Sequence, residues 1–169
     1  MRIPASHIEP ALKATDKYGA ISELLHILVQ VGVIPRDAES TLFTAFRDRE
    51  EVMSTGIGFG IALPHVYVAG APVGDDRLGI KFGMVPPVYW PGVTEPVAAF
   101  GRSLAGVDFE ALDNVPVDLI FLIIMPAGDA ASNIKSFSRM ARGLNSPRTR
   151  DALRQCVTAQ EIESIFDQF

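Results

Sequence analysis

Ser54–His65 reads STGIGFGIALPH, and this stretch decides how the middle of the chain folds. Glycines stand at positions 56, 58 and 60, and the apolar run Ile61, Ala62 and Leu63 follows them. Such a pattern predicts a tight turn that leads into a short buried strand. Proline cannot donate to a strand ladder, so we expect the ladder to end at Pro64 and His65 to lie just past the strand's end.

Helical and strand-like patterns alternate along the rest of the chain. Helices are expected at 20–32, at 37–52, from Ser132 onward, at 148–156 and at 159–166. Strands are expected at 61–63, 78–85, 97–100 and 117–125, the last of which has the most buried character. Ser146 and Thr158 are placed to cap the last two helices. This order of elements predicts an α/β fold in which a single mixed β-sheet is flanked by helices on both faces.

The composition of the chain predicts one folded domain, residues 1–169. The 169 residues fit a single core, and 48% of them are hydrophobic while 21% are charged, as is ordinary for globular proteins. The net charge is -5, and the scattered Lys and Arg residues exclude a dedicated nucleic-acid surface, which needs clustered positive charge. The longest apolar stretch, Val115–Pro126, is interrupted by Asp118 and is too short to cross a bilayer. We therefore expect a cytoplasmic protein without direct membrane insertion.

The histidine and cysteine content argues against a metal or thiol site. Histidine occurs at positions 7, 26 and 65, and no pair has the short spacing of a zinc motif. Cys156, the single cysteine, lies in an expected helix with no nearby His or Asp to activate it. We expect no metal site and no cofactor.

His65 has a sequence context suited to anion chemistry. It follows a glycine-rich loop whose backbone amides can approach an anion closely because no side chains block them. A histidine at a strand end is also common as an ordinary surface residue. The residues alone leave both interpretations open.

The stretch Ser54–His65 resembles the signature around the phosphorylated histidine of the fructose/mannitol-type enzyme IIA domains, which include the nitrogen-regulatory IIA proteins. The resemblance extends upstream to Arg49 and Glu50, where the family has an Arg-Glu pair. Downstream it runs through Val107–Gly128 and the C-terminal helices, so it covers residues 20–169. It implies the enzyme IIA mannitol/fructose-like sandwich fold.

The resemblance also implies a phosphorelay in which His65 accepts a phosphoryl group from an HPr-like phosphocarrier protein. By the same resemblance, Arg49 would stabilise the phosphoryl charge, and Ser54 and Thr55 would donate hydrogen bonds to phosphate oxygens. Each of these residues has a structural alternative. Arg49 can pair with a neighbouring carboxylate at a helix end, and the two hydroxyl groups can cap the turn.

The sequence departs from the family pattern at three places. A gap-free alignment puts Asn133 where the family has a second histidine, and asparagine cannot carry a proton or a positive charge. We expect the end of strand 117–125 to lie beside 57–63, so that Asn133 faces His65 across the pocket. Val66 stands where glycine is common, and about twenty residues within 67–92 form an expected insertion. The changes at Asn133 and Val66 put ordinary transport activity in question, and neither removes the nucleophile.

Two functions are compatible with these residues. The first is a phosphocarrier of the phosphoenolpyruvate-dependent phosphotransferase system, with a regulatory role. Such a protein is a phosphotransferase that carries the phosphoryl group as phosphohistidine, and its further partner is a IIB domain or a regulated protein. The second is a non-catalytic IIA-like binding module that regulates a partner through the surface around His65 and the inserted segment. Asn133 and Val66 favour the second function. The first function is favoured by the complete set of His65, Arg49 and the two hydroxyl residues, and it is the function that we expect.

Overall fold

The computed structural model describes residues 2–69, 88–90, 94–127 and 130–168. Within these ranges the helices are α1 (Lys17–Gln30), α2 (Glu39–Val52), α3 (Ala130–Asn145), α4 (Pro147–Gln155) and α5 (Ala159–Phe166). The strands are β1 (Ile8–Glu9), β2 (Gly56–Gly58), β3 (Ile61–Ala62), β4 (His65–Ala69), β5 (Val88–Tyr89), β6 (Val97–Val107) and β7 (Val117–Pro126). The expected strand at 78–85 and most of the expected insertion lie outside the described residues.

The strands form one open mixed sheet around β7. β6 runs antiparallel to β7, and β1 pairs with the outer edge of β6. On the other side, β3 and β4 follow one another along β7 and both run parallel to it. β2 is antiparallel to β3, and β5 is parallel to β4.

β7 is central because its side chains are apolar on both faces of the sheet. Residues 119–125 are all buried, and alternate side chains enter two separate cores. One core contains Leu24 of α1 and Phe46 of α2, and the other contains Leu153 of α4 and Ile162 of α5. Burying one such side chain stabilises the fold by about 1.5–3 kcal/mol, so both faces of the sheet need a helical cover. The predicted mixed sheet with helices on both faces is confirmed.

Side-chain caps explain where several helices begin. Asp16 accepts hydrogen bonds from the amides of residues 18 and 19, which starts α1 at Lys17, before the expected position 20. Ser146 caps α4, and Thr158 forms a reciprocal capping box with Glu161 at α5, as the sequence predicts. Each cap contributes about 1 kcal/mol because it satisfies amides that have no partner within the helix.

Pro64 ends β3, but it does not end the ladder along β7. Its carbonyl accepts a hydrogen bond from the Ile123 amide at 2.9 Å, and β4 begins directly afterwards with His65 beside Ile123. His65 therefore opens a second parallel strand, which the sequence analysis missed. As a result, the carboxyl end of β7 lies beside β4, and the expectation that it lies beside 57–63 is wrong.

β6 is longer than the predicted strand at 97–100. It continues to Val107 because residues 101, 102 and 107 still pair with β7. Gly101 is required by close packing, since a Cβ at this position would lie 2.8 Å from Leu12 Cγ. Gly101 therefore marks the close approach of another segment of the chain and does not break the strand.

Candidate functional site

His65 is half-buried at the start of β4, where its backbone position is fixed by β7. Its Nδ1 lies 2.9 Å from the carbonyl oxygen of Leu63. A carbonyl oxygen only accepts hydrogen bonds, so Nδ1 must carry the proton. In the neutral imidazole the lone pair is then on Nε2, which makes Nε2 the nucleophilic atom.

Two aromatic rings stand perpendicular to the His65 imidazole. The Tyr67 ring, two residues further along β4, is 6.3 Å from it between centroids, and the planes meet at 88°. The Phe137 ring, on α3, is 5.3 Å away with an angle of 81°. The sequence analysis missed both residues. The i, i+2 spacing of a strand places Tyr67 on the same face as His65, but only the folded chain could identify Phe137.

Arg49 lies in the last turn of α2, and its positive charge acts on His65. Its Nη1 donates to the carbonyl oxygen of Met53 at 2.8 Å, while its Nε is buried without a hydrogen-bond partner. Among the described residues no carboxylate forms an ion pair with it, because Asp48 pairs with Arg47 and Glu50 binds elsewhere. The positive charge of the guanidinium is therefore not neutralised by a carboxylate in the described part of the chain.

Burial lowers the pKa of His65 below the ordinary value for histidine, and the positive charge of Arg49 lowers it further. The hydrogen bond to Leu63 acts in the opposite direction without reversing the shift. Both lowering effects disfavour the imidazolium form. His65 is consequently neutral, and so nucleophilic, at neutral pH.

Ser54 and Thr55 use their hydroxyl groups inside the protein. Ser54 Oγ donates to the carbonyl oxygen of Phe109 and accepts from the Gly56 amide at 3.0 Å. Thr55 donates both its amide, at 3.0 Å, and its hydroxyl, at 2.6 Å, to the buried carboxylate of Glu50. In this arrangement both residues fix the turn before β2, and their contact with a phosphoryl group stays a prediction.

The glycine-rich segment forms a hairpin between β2 and β3. Phe59 and Gly60 at its tip have φ angles of 58° and 76°, in the left-handed region that a tight hairpin turn requires. Arg154 of α4 holds the tip, since its Nη2 donates to the Phe59 carbonyl at 2.7 Å and its Nε donates to Asp118 at 2.6 Å. The hairpin is therefore tied to α4 and to the start of β7, and no contact between it and a bound anion is needed to explain its shape.

Asn133 is buried on α3, one helical turn before Phe137. Its Nδ2 donates to the carbonyl oxygen of Pro126 at 2.7 Å, and its Oδ1 is buried with no hydrogen-bond partner. Pro126 pairs with Val68, three residues beyond His65 along β4. Asn133 thus lies on the helix that contacts His65, and its position across the pocket from the imidazole stays a prediction.

Other parts of the described chain contribute little to this site. A cleft of about 400 Å³ between the start of α2 and β5 is lined by Pro35, Leu42, Trp90 and four further residues, none of which is a candidate site residue. No group of three or more metal-ligating side chains occurs in the described ranges. No helix there is long and apolar enough to span a membrane.

Sequence comparison matches nearly the whole chain to known proteins. Residues 2–169 match the family described as the phosphoenolpyruvate-dependent sugar phosphotransferase system, EIIA 2. A nitrogen regulatory protein of Bradyrhizobium diazoefficiens is 30% identical over 158 residues, which covers 94% of this chain and 87% of the relative. The fructose-specific EIIA component of Haloferax volcanii is 29% identical over 149 residues, which covers 88% of this chain and 81% of the relative.

Solved structures show the same fold. The nitrogen regulatory protein IIA-Ntr from Neisseria meningitidis superposes with a TM-score of 0.75 at 24% identity, covering 96% of this chain and 94% of that one. The IIA mannitol protein of Escherichia coli superposes with a TM-score of 0.66 at 20% identity, covering 98% of this chain and 99% of that one. With its whole described length matched, the chain belongs to the type 2 EIIA family of the sugar phosphotransferase system.

Proposed function

We propose that this protein is a phosphocarrier that accepts a phosphoryl group on His65 from an HPr-like phosphohistidine donor. The observation that carries the proposal is the state of the imidazole, whose Nδ1 proton is bound to the Leu63 carbonyl and whose Nε2 lone pair is available. A nitrogen–phosphorus bond forms at Nε2 while the donor's nitrogen–phosphorus bond breaks. The donor ring, protonated on its other nitrogen, leaves as a neutral imidazole, and His65 keeps its Nδ1 proton, so that the positive charge moves with the phosphoryl group to the His65 ring. The reaction consumes no water and needs no cofactor.

Arg49 supplies the charge that such a transfer needs. The chemistry depends mainly on positioning and on neutralising the phosphoryl oxygens. A guanidinium that forms no ion pair with a carboxylate in the described part of the chain can neutralise the oxygens and donate hydrogen bonds to them. The same cation keeps His65 neutral before the transfer, which favours attack on phosphorus.

The test is incubation with enzyme I, HPr and phosphoenolpyruvate, followed by intact-mass measurement. We expect a phosphate-sized mass increase that is lost in acid, since phosphohistidine is acid-labile. His65→Ala should abolish it and leave the fold intact. His26→Ala is the matched control, because His26 is exposed on α1 and pairs with Glu39 at the start of α2. Phosphorylation of the His65→Ala variant at the wild-type rate would refute the site assignment.

We further infer a regulatory use of the phosphoryl group, in the cytoplasm. Relatives named nitrogen regulatory proteins align with most of this chain, and so does a fructose-specific EIIA component. A fructose-type IIB domain added to the phosphorylated protein separates the two uses. Rapid transfer to the IIB domain would point to sugar transport and would contradict the regulatory proposal.

A second candidate function is a binding module that has kept the fold without efficient transfer. Asn133 favours it, because a neutral amide stands where the family has a second histidine, and its Nδ2 is already bound to Pro126. A wild-type protein that gains no mass in the phosphorylation assay, yet is folded, would support this alternative over the phosphocarrier.

A further inference from the structure

Three groups contact the His65 imidazole. The Leu63 carbonyl accepts its Nδ1 proton, Tyr67 approaches from the same strand, and Phe137 approaches from α3. Both aromatic contacts are nearly perpendicular, with angles of 88° and 81°. This is a geometry that aromatic rings prefer, since the positive edge of one ring meets the negative face of the other.

A single hydrogen bond at Nδ1 does not by itself fix the orientation of a histidine ring. The imidazole can still pivot about the bonds that join it to the backbone, and a pivot swings Nε2 away from an attacking direction. Two aromatic rings packed against the imidazole restrict that freedom. Phosphoryl transfer depends on alignment of the attacking and leaving atoms, so a fixed Nε2 is an advantage for the rate.

We propose that Phe137 and Tyr67 are positioning residues that hold the His65 ring with Nε2 directed at the incoming phosphoryl group. This inference rests on the proposed phosphocarrier function. Neither residue is required to touch the phosphoryl group. They act through the imidazole, Phe137 as part of the core beneath α3 and Tyr67 as part of β4.

The surroundings of the imidazole are consistent with a ring enclosed by apolar groups. Four residues of β7 pair with β4, namely Ile123, Ile124, Met125 and Pro126, and the first three are buried. On α3 the charged residues near Phe137 are Lys135 and Arg139, which are exposed. Burial lowers the pKa of His65, and the positive charge of Arg49 on α2 lowers it further. Burial raises the pKa of the Tyr67 phenol, and the same charge of Arg49 opposes that rise.

Phe137→Leu is the first test, because leucine keeps an apolar side chain on α3 and removes the ring. We expect the kcat of His65 phosphorylation to fall about three- to tenfold, the range that the loss of one aromatic pair commonly produces. The KM for the phosphorylated donor should not change, since the imidazole and not the docking surface is altered. Phe166→Leu is the matched control, because Phe166 packs in the same core against Phe100 and Phe121. An equal loss in both variants, or no loss in Phe137→Leu, would overturn the proposal.

Tyr67 gives an independent test through its conservative variant. Tyr67→Phe keeps the ring and should retain the wild-type kcat, whereas Tyr67→Leu should lower it about three- to tenfold. If Tyr67→Phe loses as much as Tyr67→Leu, then the hydroxyl group is responsible and the positioning role of the ring is wrong.

An NMR titration of His65 separates this inference from the proposed function, because it needs no phosphoryl donor. Removing the Phe137 ring admits water to the imidazole, so the pKa of His65 should rise toward the ordinary histidine value in Phe137→Leu and stay unchanged in Phe166→Leu. If the wild-type protein takes up no phosphate but this rise is seen, the phosphocarrier function fails and the enclosure of the ring stands. If the titration is the same in all three proteins, the inference fails whatever the phosphorylation assay gives.

Discussion

At the scale of single residues, the site depends on one histidine whose two nitrogens have different roles. Leu63 fixes the proton on Nδ1, so Nε2 is the attacking atom in the function we propose. The charge of Arg49 and the burial of the ring keep the imidazole neutral. The two conditions for attack, a free lone pair and a nearby cation, are therefore met by residues from β4 and α2.

Arg49→Gln should slow phosphorylation of His65 by about ten- to a thousandfold, because a charge partner of the transferred group is lost. The same change should raise the pKa of His65, since the cation that lowers it is gone. The acid limb of the pH–rate profile should then move to higher pH. Arg47→Gln is the control, because Arg47 is on the same helix but pairs with Asp48 and Glu51. Equal rates for wild type and Arg49→Gln would remove Arg49 from the mechanism.

Asn133→His should raise the phosphorylation rate or prolong the lifetime of phosphohistidine. A histidine can be protonated beside the phosphoryl group and offset part of its negative charge, which the asparagine amide cannot do. One ring nitrogen could keep the hydrogen bond that Asn133 makes to the Pro126 carbonyl. Rate and lifetime are followed by intact mass over time, and a variant that changes neither places Asn133 outside the pocket.

At the scale of secondary-structure elements, the hairpin between β2 and β3 fixes the path of the chain that leads to His65. Glu50 at the end of α2 binds Thr55 before the hairpin, and Arg154 of α4 binds its tip. The hairpin leads through Pro64 to His65. The path of the chain into the site is thus fixed from both helical layers.

Gly60→Ala should destabilise the protein more than Gly32→Ala. Both glycines have a φ of 76°, so an added Cβ costs about 1–2 kcal/mol of backbone strain at either one. Nothing lies within 4 Å of a Cβ at Gly32, whereas a Cβ at Gly60 would collide with Asp118 and lie 2.7 Å from Arg154 Nη2. Urea denaturation measures the difference. Equal losses would mean that the Arg154–Asp118 pair can move aside without cost.

At the scale of the whole molecule, the site is assembled by two helical layers that meet at one sheet. Arg49 comes from α2, in the layer over one face, and Phe137 comes from α3, in the layer over the other. His65 lies between them because β4 pairs with the carboxyl half of β7. The relative position of the two layers therefore controls the environment of the imidazole.

Arg102→Met should lower the free energy of unfolding by about 2–4 kcal/mol, because buried acceptors lose a charged donor. Arg102 is 8% exposed and donates to the carbonyl oxygens of Pro10, Arg154 and Cys156. It thereby joins the N-terminal segment, β6 and the link between α4 and α5. Arg148→Met, at an exposed position of α4, should change stability by less than about 0.5 kcal/mol. Similar losses in the two variants, measured by urea denaturation, would contradict this bridging role.

Much of the fold could be predicted from the sequence, because the sequence features that specify its helices and strands are local. The caps at Ser146 and Thr158, the helical periodicity of 159–166 and the apolar run of β7 each act within a few residues. The full length of β6 could not be predicted from the sequence. Its later half is stabilised by pairing with β7 and by the close packing of Leu12 on Gly101, contacts that are distant in sequence.

By itself the sequence determined the family, the mixed sheet with helices on both faces, and the histidine whose context suits phosphoryl transfer. Only the tertiary structure decided which nitrogen of His65 is free, that the Ser54 and Thr55 hydroxyls are bound internally, and that Phe137 stands against the imidazole. The physical reason is the separation along the chain over which each kind of interaction acts. Propensity, capping and periodicity act between near neighbours along the chain, whereas the protonation and orientation of a half-buried ring are set by groups from other elements.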